Sequence, residues 1–280
     1  MNSIASKLHL VALPLFFTLA ACSGASSNEE VSASSEASSL TDGSTRVVFV
    51  QSDDGDTGYA LSAMNCGGTR HVDALDLTAT GVDLRALAAS LRVSGSVALR
   101  GAVHARTFVA TDVYRALPGV DAARGDSFYG AKRMPDGSTE ADELNRSRAL
   151  SFDRVDVSAA AASFVDQTWL AARVLASGAL VAGSLDVADD GSLVLRASQV
   201  LMRVPEQVSC PAPLFIVCSE GTSAVYERDA ERCVVQTGCA AKGVCPLPIP
   251  ACESGYTRAT WTSANGCAAY ACDPAFDPAP

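Results

Sequence analysis

The chain has 280 residues, with 21 basic against 31 acidic side chains and a net charge of −10. Only three of the cations are lysines and no basic run occurs, which excludes the phosphate-neutralising surface that duplex binding requires, so no nucleic-acid partner is expected. The length exceeds one typical domain, and more than one packed region is expected.

The first element is a leader. Lys7 supplies a positive start, Leu8 to Leu19 an apolar run too short to span a bilayer as a mature helix, and Leu19-Ala20-Ala21-Cys22 a small-residue cleavage site. The pattern predicts a lipoprotein signal peptide over residues 1–21, with Cys22 as the lipid attachment residue. A thioether-linked diacylglycerol and an acylated amine (palmitate or a similar chain) give more than the two acyl signals that durable anchoring needs. The implied partner is the lipid bilayer, and the implied location is the bacterial cell envelope, lipid-anchored at the outer membrane. Residues 22–45 are mostly Ser, Ala, Gly and Glu, so they predict a flexible tether with a span of about 25 to 30 Å.

Residues 46–205 carry a spaced duplication that emerges at a shift of eighty residues. Asn65, Asp73, Leu75, Asp76 and Leu77 fall on Asn145, Asp153, Val155, Asp156 and Val157. Farther on, Leu99-Arg100-Gly101 meets Val181-Ala182-Gly183, and Pro118 meets Pro205, with the shift grown to eighty-seven by longer loops. Each copy, about 46–118 and 126–205, has one order. An extended segment, Val47 to Gln51 or Phe128 to Lys132, precedes a strand, Val72 to Leu77 or Phe152 to Val157. A short helix follows, with Val82, Leu84, Leu87, Ala88 and Leu91 on one apolar face in the first copy and Phe164, Leu170 and Val174 in the second. A hairpin closes each copy: Val97 to Val103 with Thr107 to Tyr114, and Leu180 to Val187 with Leu193 to Leu201. The predicted class is α+β, mainly antiparallel β with short helices, in two tandem units. Pattern alone leaves open whether these share one sheet.

The last element, residues 209–280, is disulfide-rich and also duplicated. Cys210, Cys218, Cys233 and Cys239 form one set, and Cys245, Cys252, Cys267 and Cys272 the other, giving modules 210–239 and 245–272. Modules this small bury too little to fold unaided, and each staple supplies roughly 2 to 4 kcal/mol. If each module closes on itself, nine pairings remain open.

Taken together, these residues resemble cell-surface lipoproteins of myxobacteria and their relatives. The Asn-to-Asp units resemble an uncharacterised domain found there, which implies no known activity. The tail, with Cys252-Glu253-Ser254-Gly255-Tyr256 and Asn265-Gly266-Cys267, is similar to antistasin-like modules, some of which inhibit serine proteases. The first module departs from them, with Thr222 for the tyrosine and Glu231-Arg232 for the Asn-Gly turn.

Constellations that carry chemistry are sparse. His71 and His104 are the only imidazoles after the leader and no Gly-x-Ser-x-Gly elbow accompanies them, so surface histidines are expected and no catalytic residue is assigned. Asp53-Asp54-Gly55-Asp56 and Asp186 to Gly191 could hold calcium, but Asp and Gly also build tight turns, and the turn reading is preferred with no metal assigned. Asp73 with Asp76, and Asp153 with Asp156, have the composition of an acid–base pair. Their recurrence points instead to side chains that hold turns. Cys66 is expected to be a buried small side chain or a bridge to the tail, the reactive thiol being the alternative. No cofactor motif is present.

The preferred expectation is a non-enzymatic surface lipoprotein whose tandem body and outward-facing tail bind an envelope or extracellular protein or polysaccharide. The alternative is a serine protease inhibitor presenting a tail loop around Arg228, Arg232 or Arg258. The third is an envelope enzyme of unidentified chemistry.

Overall fold

The computed structural model describes residues 40–52, 58–204, 210, 212, 216–241, 243–245 and 251–276. Cys22, the leader, most of the tether and the Asp53–Asp56 run lie outside them. The body starts with β1 (Arg46–Ser52), β2 (Tyr59–Ala63), β3 (Thr69–Val72) and β4 (Ala74–Asp76), continues through α1 (Leu84–Leu87), and ends in β5 (Val97–His104) and β6 (Thr107–Ala116). A second run follows as β7 (Ser127–Arg133), β8 (Thr139–Glu143), β9 (Ala149–Phe152), β10 (Arg154–Asp156), α2 (Gln167–Leu175), β11 (Ala176–Val187) and β12 (Leu193–Val204). The tail is two hairpins, β13 (Thr222–Arg228) with β14 (Val234–Ala241), and β15 (Tyr256–Thr262) with β16 (Ala268–Pro274).

All twelve body strands join one sheet, in the order β3-β2-β1-β5-β6-β12-β11-β7-β8-β9 with β4 on β6 and β10 on β12. Read inward from either edge, the order is third, second, first, fifth and sixth strand of a run of six. The two runs meet where β6 pairs antiparallel with β12, Val113 opposite Val204 and Ala116 opposite Leu201. Sheet pairing is otherwise antiparallel, except that β4–β6 and β10–β12 are parallel. Each predicted strand of alternating residues is in fact two short strands, broken at Asp73 and Asp153. The Asp73 amide leaves the ladder to donate to Arg106 O (2.8 Å), and the Asp153 amide to Leu193 O (2.7 Å).

Both hairpins carry a bulge at a glycine. The register shifts between Arg100 and Gly101 in one and between Ala182 and Gly183 in the other. A Cβ at Gly101 would lie 2.1 Å from Val109 O, and at Gly183 2.0 Å from Arg196 O, so backbone contact leaves room for glycine alone.

Alternation along the strands produces three cores. One face of the first run packs Val48, Val50, Leu61, Leu99 and Phe108 against Leu77, Leu87 and Leu91. The same face of the second run packs Val181, Leu195, Val200 and Met202 against Trp169, Leu170 and Val174. The opposite face is shared, where Val47, Met64, Ala98 and Tyr114 of the first run meet Leu144, Leu180 and Leu201 of the second. Phe49 meets Phe128 edge-on there, with centroids 5.2 Å apart.

The helices are capped as their sequences allow, Asp83 accepting from Arg85 N and Asp166 from Trp169 N. The apolar face expected over Val82–Leu91 is split between α1 and a 3-10 turn at Ser90–Arg92, with Leu87 and Leu91 buried but Ala88 exposed. Phe164, assigned by pattern to the second helix, precedes α2 with a left-handed φ of 67° and faces the tail instead.

Candidate functional site

The residues that recur between the two runs are spent on backbone groups. Asn65 and Asn145 both sit just past a strand in the left-handed region, with φ of 62° and 61°. Asn65 donates to Phe128 O (2.7 Å) and Leu144 O (3.0 Å) and accepts from Phe128 N (2.7 Å). Asn145 returns the same three contacts, to Val47 O (2.6 Å), to Met64 O (2.9 Å) and from Val47 N (2.8 Å). Each asparagine thus stands in for a missing ladder partner across the shared core. Beside them Glu143 is buried and is met by Ser127 Oγ (3.4 Å), Arg146 and Arg148.

The recurring aspartates close turns. Asp76 accepts from Thr78 N, and Asp156 from Ser158 N, both at 3.0 Å. Hydrogen bonds from the Thr78 and Ser158 side chains, then from their amides, hold both carboxyls below the usual range. Asp136 and Asp190 do the same with Ser138 and Ser192. Asp73 pairs with Arg106 at 2.6 Å, while Asp153 accepts from Leu193 N at 2.6 Å. Neither aspartate pair faces a partner across a cleft. In the Asp186–Gly191 turn, Asp186 lies 3.4 Å from Arg196 Nε. Among the described residues no group of three or more His, Cys, Asp or Glu stands together. His71 and His104 are exposed on β3 and β5.

All eight tail cysteines are bonded, first to third and second to fourth in each module. The pairs are Cys210–Cys233, Cys218–Cys239, Cys245–Cys267 and Cys252–Cys272. Cys66 is itself disulfide-bonded, so it is neither a thiol nor, with every tail cysteine taken, a bridge to the tail.

The tail is seated mainly on the second run. Cys272 N donates to Phe164 O (2.9 Å), Tyr256 Oη to Pro118 O (3.1 Å), and Ser163 N to Glu253 Oε1 (3.2 Å). At the centre lies a buried charge cluster. Arg228 Nη2 reaches both Asp273 oxygens at 2.6 Å, Arg232 Nη1 lies 3.6 Å from the same carboxylate, and the Arg232 guanidinium stacks 4.2 Å from the Trp169 ring centre. Arg228 and Asp273 are only 3% and 4% exposed and Arg232 is 0% exposed. Of the three arginines expected on an inhibitory loop, two are therefore interior. The third, Arg258, is exposed but lies within β15 opposite Cys272.

Two residues at this seam take left-handed backbone where the register-related residue is glycine. Phe164 (φ 67°) corresponds to Gly81 (72°), and Arg232 (68°) to Gly266 (74°). The signal in the sequence was there, a bulky residue replacing the turn glycine, but nothing in it told where the side chain goes.

At the meeting of the two runs lies a cleft of about 470 Å³. It is lined by Thr80, Thr111, Asp112, Arg173, Ser177 and Arg203, among others. Asp112 and Arg203 pair at 2.7 Å, the aspartate 14% exposed and the arginine 56%.

No family model matches the chain, and no solved structure matches it significantly. It is similar to an uncharacterized protein of Dictyostelium discoideum, 34% identical over 118 residues. The match spans 40% of this chain and 39% of that protein.

Proposed function

We propose that this chain is a membrane-anchored bacterial surface lipoprotein with a binding or structural role, not a catalytic one, built on a body of two duplicated α+β units. The observation that carries the non-catalytic reading is the fate of the recurring polar residues. Asn65, Asn145, Asp76 and Asp156 all satisfy backbone donors, as structural residues do in every copy of a repeated unit. The duplication is supported by the six matched asparagine contacts, the matched glycine bulges and the mirrored strand order. An acidic, acyl-anchored body of this kind would sit at the envelope, facing an envelope or extracellular protein or polysaccharide.

Two of the three arginines that the inhibitor reading would present, Arg228 and Arg232, are buried against Asp273 instead.

The anchor has a direct test, since a thioether and a disulfide at Cys22 are mutually exclusive. The chain has ten cysteines, and with eight paired within the tail and Cys66 bonded, Cys22 is the one that remains; the anchor therefore requires that acylation of Cys22 precede its oxidation and leave Cys66 a thiol. Peptide mapping of the protein from bacterial membranes should find Cys22 carrying diacylglycerol, and Cys22→Ala should move the protein from the detergent phase to the aqueous phase. A peptide linking Cys22 to Cys66 would overturn the anchor and leave a secreted protein.

A further inference from the structure

We propose, on the anchor reading above, that Cys22 and Cys66 form a sorting switch: a chain acylated at Cys22 is anchored and keeps Cys66 as a thiol, whereas a chain oxidised first closes a Cys22–Cys66 disulfide and stays off the membrane. Cys66 is disulfide-bonded while the eight tail cysteines pair among themselves, so of the ten in the chain only Cys22 is left to bond it. The sulfur that the leader pattern marks for a thioether is thus the one that the fold takes for a disulfide.

The turn carrying Cys66 lies where the N-terminal chain joins the body. Leu40 is buried in the same core that Cys66 packs against, and Arg70 clasps that segment, donating to Leu40 O, to Asp42 Oδ1 (2.6 Å) and to Ala105 O (3.1 Å). Residues 22 to 40 can extend over about 60 Å, ample reach for a bridge to this turn. A short flexible tether also holds its end at an effective concentration on the order of millimolar, so pairing within the chain outruns pairing with a second copy. Cys66 Sγ and Arg46 Nη1 both lie 3.4 Å from Asn145 O. A guanidinium this close to the sulfur favours the thiolate, the form that attacks disulfides.

In the oxidising branch the Cys66 thiolate attacks a disulfide oxidant of the envelope and forms a mixed disulfide, releasing one thiol. The Cys22 thiolate then displaces the second, so two electrons and two protons pass from the cysteines to the oxidant. In the acylating branch the Cys22 sulfur takes a diacylglycerol from a phospholipid, whose phosphate headgroup leaves with the thiol proton. Neither product can enter the other branch while its bond at Cys22 lasts.

The test is to express the full chain in a bacterium, trap thiols with N-ethylmaleimide before lysis, separate detergent and aqueous phases, and map the peptides. Detergent-phase chains should carry lipid on Cys22 and maleimide on Cys66, and aqueous-phase chains a peptide linking the two. Cys66→Ser removes the competing branch and should raise the ratio of detergent-phase to aqueous-phase chains at least twofold. Absence of detergent-phase chains would sink the anchor and the switch together. Detergent-phase chains with no linked peptide in the aqueous phase, maleimide on Cys66 of aqueous-phase chains, or an unchanged ratio for Cys66→Ser would overturn the switch alone.

Discussion

The first and second six-strand runs of the body share strand order, bulges and asparagine contacts, yet the tail lays its buried arginine cluster on the second. The difference comes down to a few positions. Phe164 and Trp169 of the second run correspond to Gly81 and Ala86 of the first, and the tail's own Arg232 corresponds to Gly266. Left-handed backbone costs a bulky residue about 1–2 kcal/mol, and here it is adopted on both sides of one contact. Phe164 spends it to bring its ring 5.3 Å from Tyr270, and Arg232 to reach Trp169 and Asp273. A docking surface has thus been placed on a framework by filling glycine sites, with the framework left as it was.

The sharpest way to break this comparison is at Asp273. Asp273→Asn leaves Arg228 and Arg232 buried beside a neutral group, and the loss should be about 3–5 kcal/mol in chemical denaturation. A loss below about 1 kcal/mol would mean the tail behaves as a surface appendage, the cost scale of exposed ion pairs. A smaller effect sharpens the likeness of the two runs. Asn65→Ala and Asn145→Ala each strand one backbone amide, Phe128 N or Val47 N, and should cost about 1–3 kcal/mol apiece, equal within error. Their sum should exceed the double variant's loss, because both bridge the same shared core. Clearly unequal single losses would argue against equivalent runs. The smallest effect concerns pH. Burial pushes the Tyr256 phenol up to about 12, above its ordinary 10, so the folded state favours the protonated form. Its contribution is complete below pH 10 and is lost as pH rises toward 12. Thermal unfolding followed from pH 9 to 12 should show that loss in the natural protein and a shallower one in Tyr256→Phe.

Much of the framework was legible because it depends on residues with narrow physical uses. Gly101 and Gly183, like Asn65 and Asn145, fall in the same register of the duplication, while the bulges at those glycines and the helix caps at Asp83 and Asp166 emerged from the structure. The hairpins were found to within a few residues because alternation survives along them. The parallel contacts of β4 and β10 were not, since three-residue strands leave no periodic trace and their partners lie about thirty to forty residues on. The staple pairing needed three dimensions as well. The tail's seat was hidden for a further reason. Arg228 and Arg232 look like surface charges in sequence, and only Asp273 and Trp169, both more than forty residues away from Arg228, make them interior. The cleft is of the same kind, assembled from Thr80, Asp112, Arg173 and Arg203 across both runs.

The chain contains two tryptophans, and both lie on the arginine cluster: Trp169 beneath Arg232 and Trp261 with Arg228 5.7 Å from its ring centre. The intrinsic emission of this protein is therefore a gauge of one seam. Any event that lifts the tail from the body changes the polarity around every indole at once, and the rest of the molecule contributes no tryptophan signal to mask it.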